Sequence, residues 1–368
     1  MMGRQWHLLA AASVVFLVIV ASLAVLHSYS DKTQGPVKPA IAFFLQGGST
    51  DIGWGHQHAV GIQAAADKLK MPLRITDRIP AGTSKCEQAI RETAAEGSKI
   101  LFLGSADYAK DMTSAIENGS ELLFIIPDLE QSADAHCVPY FIRLYQGEYL
   151  AGLLAGMRTK SGHIGYVASM PLPETTRGIN AFTLGVRQIR PDADVIVCWI
   201  GTWDDADKEI QAAEQLTSKA GVDVLNSHQD QANVQAFAAQ HGVDYFGYLE
   251  TRQPYSEHNL ATVVCNWDMV YMKILQDFQQ GHMKSIYWLG LADDAIGLKD
   301  YSPLLTESDK RRLEEYKWKI TSGQTVFSGE IHDNQGKLRC AQDESISDDT
   351  LIRMNWYVEG VKFYEDIY

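Results

Sequence analysis

Four large aromatic residues follow short apolar runs in this sequence and lie close to small polar residues. They are Trp54, Trp203, Tyr248 and Trp267. An apolar run that stops at polar residues is typical of a buried strand, so each ring is predicted to lie at a strand end. Aromatic faces stack on flat ring ligands, and a few polar groups recognise the ligand's edge. A single aromatic residue would more often belong to a core, but four together favour a site for a planar ring compound.

The same predicted loops contain polar and acidic side chains that can hydrogen-bond the edge of a ring. They are Ser49, Asp51, Glu174, Asn180 and Asp230. Serine and asparagine both donate and accept hydrogen bonds, whereas an ionised carboxylate only accepts them. Glu174 and Asp230 could instead form the carboxylate pair of an enzyme that hydrolyses a glycosidic or nucleosidic bond. The residues themselves leave both interpretations open.

The sequence lacks the motifs of several common catalytic, phosphate-binding and metal sites. It contains no Gly-x-Ser-x-Gly, no His-Glu-x-x-His, no Gly-x-Gly-x-x-Gly and no Gly-Lys-Ser/Thr. His56 and His58 are two residues apart, so on a helix they point away from each other and predict no metal site. The five cysteines show no metal-ligand spacing, and a Cys86–Cys137 disulfide is a conceivable pairing that the sequence leaves open. We therefore expect a binding protein that is not an enzyme and needs no metal or cofactor.

The charge balance excludes one class of partner. The chain has 32 Lys and Arg against 46 Asp and Glu, which gives a formal charge of −14. A chain this acidic repels phosphate backbones, so nucleic acid is not expected as a partner. The 46% hydrophobic and 21% charged residues are typical of a globular protein, and 368 residues are enough for two lobes.

Alternating strands and helices are predicted to position the loops. Short apolar runs such as Ile41–Leu45, Ile100–Leu103 and Ile164–Ala168 alternate with helical spacing. That alternation predicts an α/β fold with two doubly wound parallel-sheet lobes. Ligands of such sheets bind beyond the carboxyl ends of the strands. The aromatic and polar loop residues are therefore expected to face a cleft between the lobes.

The N-terminus is predicted to direct the chain out of the cytoplasm. Leu8–Leu26 carries no charge over 19 residues and follows Arg4, which is typical of a signal peptide or an uncleaved membrane anchor. The first cysteine is Cys86, so no lipid anchor is expected at this end. The predicted location is the periplasm or the outer face of the cytoplasmic membrane.

We expect five parts along the chain. Residues 1–30 form the signal peptide or membrane anchor, and residues 31–38 form a linker. Residues 39–145 and 266–300 form the first lobe, and residues 146–265 form the second. Residues 301–368 are expected to form a C-terminal extension that packs on the lobes.

Several short segments of the sequence resemble those of one protein family. They are Asp51-Ile-Gly-Trp54, Glu148-Tyr-Leu-Ala-Gly152, Ile164-Gly-Tyr-Val167, Pro173-Glu174, Asn180–Gly185, Trp203-Asp204, Asn266-Trp267, Phe327–Ile331 and Met354–Val361. With them the sequence resembles the basic membrane protein (Med-type) family of periplasmic binding proteins, which serve ABC-type importers. The resemblance extends from about Pro39 to Val361.

The resemblance implies a fold, a ligand class and site residues. It implies the two-lobed type I periplasmic-binding fold, in which lobes that close on a hinge hold a purine base or nucleoside. Trp54 and Trp203 match positions at which family members place the aromatic rings that sandwich the base. Further residues match segments that line the cleft in the family: Ser49, Asp51, Glu174, Asp230 and Trp267. Where nucleoside-binding relatives carry an acidic residue for the ribose, this sequence has Leu249, which favours a free base such as adenine.

The expected function is that of an extracytoplasmic solute-binding protein of an ABC-type importer. Its expected partners are a purine-type ligand and a membrane protein, either the importer permease or a sensor. A membrane-anchored ligand-sensing module of the same fold is the main alternative, and a nucleoside hydrolase is a further one.

Overall fold

The structure is a computed structural model that describes residues 40–50, 53–129, 134–249 and 256–367. The predicted signal or anchor, the linker 31–38 and the candidate residue Asp51 lie outside the described residues. Among the described residues, no helix combines the length and the apolar character that crossing a bilayer requires.

Strands and helices alternate along most of the described chain. The strands are β1 (Ile41–Phe44), β2 (Leu73–Thr76), β3 (Ile100–Leu103), β4 (Leu123–Pro127), β5 (Cys137–Ile142), β6 (His163–Ala168), β7 (Asp194–Trp199), β8 (Val224–His228), β9 (Asp244–Tyr248), β10 (Asn259–Cys265), β11 (Tyr287–Leu289), β12 (Ile296–Lys299), β13 (Ile331–His332), β14 (Leu338–Cys340) and β15 (Val361–Phe363). The helices are α1 (Trp54–Leu69), α2 (Ser84–Ala95), α3 (Ala109–Glu117), α4 (Leu144–Arg158), α5 (Pro173–Ile189), α6 (Ala206–Ser218), α7 (Asn233–His241), α8 (Trp267–Gln280), α9 (Glu307–Thr321), α10 (Asp348–Ile352) and α11 (Tyr364–Ile367), with short 3₁₀ turns at Ala106–Tyr108 and Leu291–Asp293.

Two large sheets define the two lobes. The first has six parallel strands in the order β11-β5-β4-β3-β1-β2, and the second has seven in the order β12-β10-β9-β8-β6-β7-β15. Only β12 runs antiparallel to its neighbour in the second sheet. Most central strands are buried on both faces, which is why they read as continuous apolar runs. The predicted fold, α/β with two parallel-sheet lobes, is confirmed.

The chain crosses between the lobes three times. It leaves the first sheet between β5 and α4, returns between β10 and α8, and leaves again between β11 and β12. Helix α4 packs on β10 and β12 of the second lobe, whereas α8 packs on α1 of the first. These three links between the lobes are named the hinge crossings.

Two edge strands differ from the expected division of the chain. Residues 266–300 were expected in the first lobe, but β12 pairs with β10 of the second sheet. Residues 301–368 were expected as an extension, but β15 pairs in parallel with β7 and so becomes part of the second sheet. In both cases an open sheet edge takes a strand that lies close to it in space and distant from it in sequence.

Two glycines let α4 and α5 cross in close contact. A Cβ atom at Gly152 would overlap the carbonyl oxygen of Phe182, and one at Gly185 would overlap that of Tyr149. The backbones of the two helices therefore touch directly, and this crossing sets the position of α5 on the second lobe.

The cysteines are mostly core residues. No disulfide connects any of the five, all of which are described. Cys86 and Cys137 belong to the same apolar cluster on one face of the first sheet, and burial raises the pKa of the Cys86 thiol to about 12.

Candidate functional site

A pocket lies between the lobes, beyond the carboxyl ends of strands from both sheets. The first lobe contributes Trp54 at the start of α1, Asp128 after β4 and Trp267 at the start of α8. The second contributes Glu174 and Arg177 from the first turns of α5, Leu249 after β9 and Cys265 at the end of β10. Three of the predicted site residues thus share this pocket: Trp54, Glu174 and Trp267.

Trp54 presents the exposed aromatic surface of the pocket. Its side chain is 37% exposed, and its indole N–H donates a 3.1 Å hydrogen bond to the carbonyl oxygen of Gly104. The Trp54 ring centroid lies 4.2 Å from that of His58 and 5.2 Å from that of Trp267. The indole is therefore held by a hydrogen bond and by packing while part of its surface stays open to a ligand.

Trp267 and His58 form a buried support behind Trp54. Their ring centroids are 3.8 Å apart, and Nδ1 of His58 pairs with the hydroxyl of Tyr271. Burial lowers the pKa of His58 to about 3, so its ring is neutral at ordinary pH. This histidine is a packing residue, and the described residues contain no cluster of metal-ligating side chains.

Asp128, Glu174 and Arg177 supply the charge of the pocket. Loss of solvation raises the pKa of Asp128 and that of Glu174, and each carboxyl also feels a second carboxyl, Glu174 for Asp128 and Asp230 for Glu174. Arg177 opposes both shifts, yet among the described residues neither Asp128 nor Glu174 forms an ion pair with it. The guanidinium donates instead to the carbonyl oxygens of Leu351 at 2.8 Å and Ile352 at 3.2 Å. The carboxyl groups remain available to hydrogen-bond a ligand, and they can accept or, when protonated, donate.

Backbone strain is present on both sides of the pocket. Asp128 and Leu249 have φ values of 53° and 55°, in the left-handed region that side chains other than glycine rarely adopt. The N–H of Asp128 donates to the carbonyl oxygen of Tyr140, and that of Leu249 to Val263. Such strain persists where surrounding contacts fix the chain, and it is common at ligand sites.

Trp203 and Tyr248 form a second aromatic group on the second lobe, outside the lining of the pocket. The ring centroid of His228 lies 5.6 Å from that of Trp203 and 4.8 Å from that of Tyr248. Nε2 of His228 and the hydroxyl of Tyr248 are hydrogen-bonded at 2.8 Å. Asp230 is exposed beside this group, and its N–H donates to the carbonyl oxygen of Trp203 at 3.0 Å. A Cβ atom at Gly178 would lie 3.9 Å from Nδ1 of His228, so the group lies beside α5, the helix that carries Glu174 and Arg177.

Two predicted site residues have structural partners. Both the N–H and the hydroxyl of Ser49 donate to Oδ2 of Asp77 at 3.0 Å, which braces two loops of the first lobe. Asn180 is completely buried; its amide donates to the carbonyl oxygen of Trp356 at 2.8 Å and accepts from the N–H of Val358 at 3.0 Å. The amide of Asn180 therefore fastens a C-terminal segment to α5.

A buried carboxyl lies beneath the pocket wall in the second lobe. Oε2 of Glu148 accepts hydrogen bonds from the amide of Asn226 at 2.8 Å and from the hydroxyl of Tyr166 at 3.4 Å. The side chain is completely buried without a cation, so desolvation raises the pKa of Glu148 to about 8.

We predict that Glu148→Gln raises stability at alkaline pH and leaves it nearly unchanged near pH 4.5. In the folded protein the pKa of Glu148 lies above its usual value of 4.5, so folding favours the protonated form. Its contribution is complete below pH 4.5 and is lost as the pH rises towards 8, where the wild type must bury a carboxylate or unfold. Denaturant unfolding between pH 4.5 and 8.5 measures the effect.

Glu214→Gln on the exposed face of α6 is the matched control, since it makes the same chemical change in water. A constant difference in unfolding free energy between Glu148→Gln and the wild type across this pH range would contradict the prediction.

The pocket contains functional candidates that are absent from the predicted site residues. Asp128 follows Pro127 at the end of a predicted strand, but no neighbouring motif distinguished it. Arg177 was visible as a polar residue three positions after Glu174, which places both near one side of a helix. The left-handed conformation of Leu249 has no signal in the sequence.

Comparison with known proteins places most of the chain in one family. Residues 38–330 match the model of the Bmp family, described as PnrA-like ABC transporter substrate-binding proteins. A purine-binding protein of Brucella abortus is 30% identical over 88% of this chain and 93% of its own length. A putative ABC transporter glucose-binding protein of Haloferax volcanii is 26% identical over 85% of this chain and 77% of its own length.

Solved structures agree on the fold. An ABC transporter solute-binding protein from Conexibacter woesei superposes with a TM-score of 0.63 at 18% identity, covering 77% of this chain and 97% of its own. At that identity the likeness concerns the fold alone.

Proposed function

This chain belongs to the Bmp family of PnrA-like ABC transporter substrate-binding proteins, and we propose that it binds a purine base in the pocket between its lobes. The family consists of extracytoplasmic proteins that bind a small molecule and deliver it to a permease. The purine-binding relative from Brucella abortus supports the ligand class.

The observation that carries the proposal is an exposed indole face beside a cluster of hydrogen-bonding charges. The purine ring would stack on Trp54, and stacking contributes about 1 kcal/mol beyond burial. Asp128 and Glu174 would hydrogen-bond N–H groups at the edge of the ring, and Arg177 adds a positive field beside them. A ring nitrogen or carbonyl would be recognised by the protonated form of either carboxyl.

Trp203 is proposed to stack on the second face of the purine ring. It lies on the second lobe beside His228 and Tyr248, and closure about the hinge would bring it over the ring that Trp54 holds. In this proposal Asp230 closes the acidic wall next to Glu174, and Trp267 supports Trp54. The closed lobes would then be the form that a permease recognises.

We expect adenine or another free purine base to bind at least about tenfold more tightly than its nucleoside, because a buried ribose hydroxyl without a partner costs about 1–3 kcal/mol. Leu249 offers no carboxylate for the ribose at the pocket wall. Isothermal calorimetry with adenine, guanine, hypoxanthine and their nucleosides measures the difference, with D-glucose as the competing ligand class.

Two results would contradict this proposal. Binding of D-glucose without binding of any purine would assign the pocket to sugars. Release of free base from inosine or adenosine during incubation would show the alternative hydrolase activity.

A further inference from the structure

A C-terminal segment beyond the match to the family model contacts the hinge crossings and a residue that lines the pocket. This segment, residues 348–358, is called the C-terminal strap below. It begins with α10, and the family match ends at residue 330. Two of its contacts fall on arginines that lie near the ring of Trp288.

The first contact is an ion pair at the hinge. Arg143 lies between β5 and α4, where the chain first crosses between the lobes. Its guanidinium binds both carboxylate oxygens of Asp348, at 2.8 and 2.6 Å, and lies 4.4 Å from the centre of the Trp288 ring. The backbone N–H of Arg143 donates to the carbonyl oxygen of Leu289 in β11. One end of the strap is therefore tied to two of the hinge crossings.

The second contact holds a residue that lines the pocket. Arg177 is 5% exposed and donates to the carbonyl oxygens of Leu351 and Ile352. Its guanidinium carbon lies 5.6 Å from the centre of the Trp288 ring, on β11 of the first lobe. Burial lowers the pKa of Arg177, and Glu174 and Asp128, which line the same pocket, oppose that shift, so they are the groups that would compensate a buried guanidinium without those two carbonyl acceptors. An ion pair with either would occupy a carboxylate that a ligand needs.

The remaining contacts run along α5. The amide of Asn180 bonds the strap at Trp356 and Val358, and the hydroxyl of Thr176 donates to that of Tyr357 at 3.5 Å. The strap therefore follows the helix whose first turns carry Glu174 and Arg177 into the pocket.

We propose that the C-terminal strap is a positioning element for ligand binding: it anchors Arg143 and Arg177 against Trp288, which keeps Arg177 from pairing with the carboxylates of the pocket. The affinity part of this inference rests on the proposed purine site. The structural part concerns the ligand-free protein and can be measured without any ligand.

Asp348→Asn tests the strap, with Asp349→Asn as its matched control. Both changes remove one negative charge from α10, but Asp349 pairs with Arg353 at the surface, whereas Asp348 pairs with Arg143. In the ligand-free full chain, Asp348→Asn is expected to speed hydrogen exchange of the amides at 174–178 and 143–146, whereas Asp349→Asn leaves both unchanged. Asp348→Glu, which keeps the charge, is expected to restore most of the protection.

The same variants are then titrated with the purine that binds the wild type most tightly. Asp348→Asn is expected to weaken binding about threefold to tenfold, and Asp349→Asn to leave it unchanged. Equal hydrogen-exchange rates in Asp348→Asn and Asp349→Asn would overturn the proposed role of the strap. Faster exchange in Asp348→Asn with unaltered purine affinity would overturn it as well. A wild type that binds no purine would overturn the proposed function instead, while the exchange result still decides whether the strap holds α5.

Discussion

Trp54→Ala is expected to weaken purine binding by at least about tenfold while the protein stays folded, because the variant loses both a stacking partner and buried apolar area. Trp54 is 37% exposed, and its contacts with described residues include the rings of His58 and Trp267 and the carbonyl oxygen of Gly104. Calorimetric titration gives the affinity, and thermal unfolding of the same sample shows that the fold is retained.

Trp318→Ala is the matched control for that experiment. Trp318 is 68% exposed on α9 and does not line the pocket, so its loss is expected to leave the affinity unchanged. Trp203→Ala is expected to weaken binding to a similar extent as Trp54→Ala if its ring covers the second face of the ligand. Unchanged affinity in both Trp54→Ala and Trp203→Ala would mean that the two indoles serve packing and that the ligand lies elsewhere.

Gly152→Ala is expected to destabilise the protein by at least about 3 kcal/mol, the upper part of the range for overpacking a core. The added methyl group would overlap the backbone carbonyl of Phe182, and a backbone group at a helix crossing cannot rotate away as a side chain can. Denaturant unfolding or the thermal midpoint measures the loss. A low yield of soluble protein would be the same result in a more severe form.

Gly178→Ala provides the contrasting case on the partner helix α5. A Cβ atom at Gly178 would meet its nearest neighbours at 3.6, 3.7 and 3.9 Å, which are ordinary contact distances. Because alanine also favours a helix more than glycine does, this variant is expected to match or slightly exceed the wild type in stability. Equal destabilisation by the two substitutions would show that helix propensity or some other general effect, and not the close crossing, controls the result.

The central strands could be predicted from the sequence because they are buried on both faces. The apolar run at Ile100–Leu103 is β3 with the same bounds, and the run at Ile164–Ala168 is β6 with one added residue. The edge strands gave no such signal. An edge strand exposes some side chains to water, so it can contain charged residues and need not be a continuous apolar run. Lys299 at the end of β12 and Lys362 within β15 are examples. Their pairing with distant strands also depends on contacts that no local pattern encodes.

The candidate site was predictable where residue type and strand end coincided, as for Trp54, Trp267 and Glu174. It was not predictable where the direction of a side chain mattered. Asn180 lies six residues beyond Glu174, so a helix of 3.6 residues per turn rotates it by about 120° away from Glu174. In the structure, the amide of Asn180 accordingly forms hydrogen bonds with the C-terminal strap. Asp128 depends on a left-handed backbone turn that its sequence neighbours do not specify.

The three hinge crossings also affect the rate at which the two lobes would meet around a ligand. Each crossing is a short covalent link, at 142–144, 265–267 and 289–296. Linked groups meet at an effective concentration set by the length of the connection, which reaches the millimolar range for short tethers. In the proposed closure, a ligand bound to one lobe would therefore meet the other lobe by bending of a single chain. Since the halves never separate into solution, dilution of the protein leaves that encounter rate unchanged.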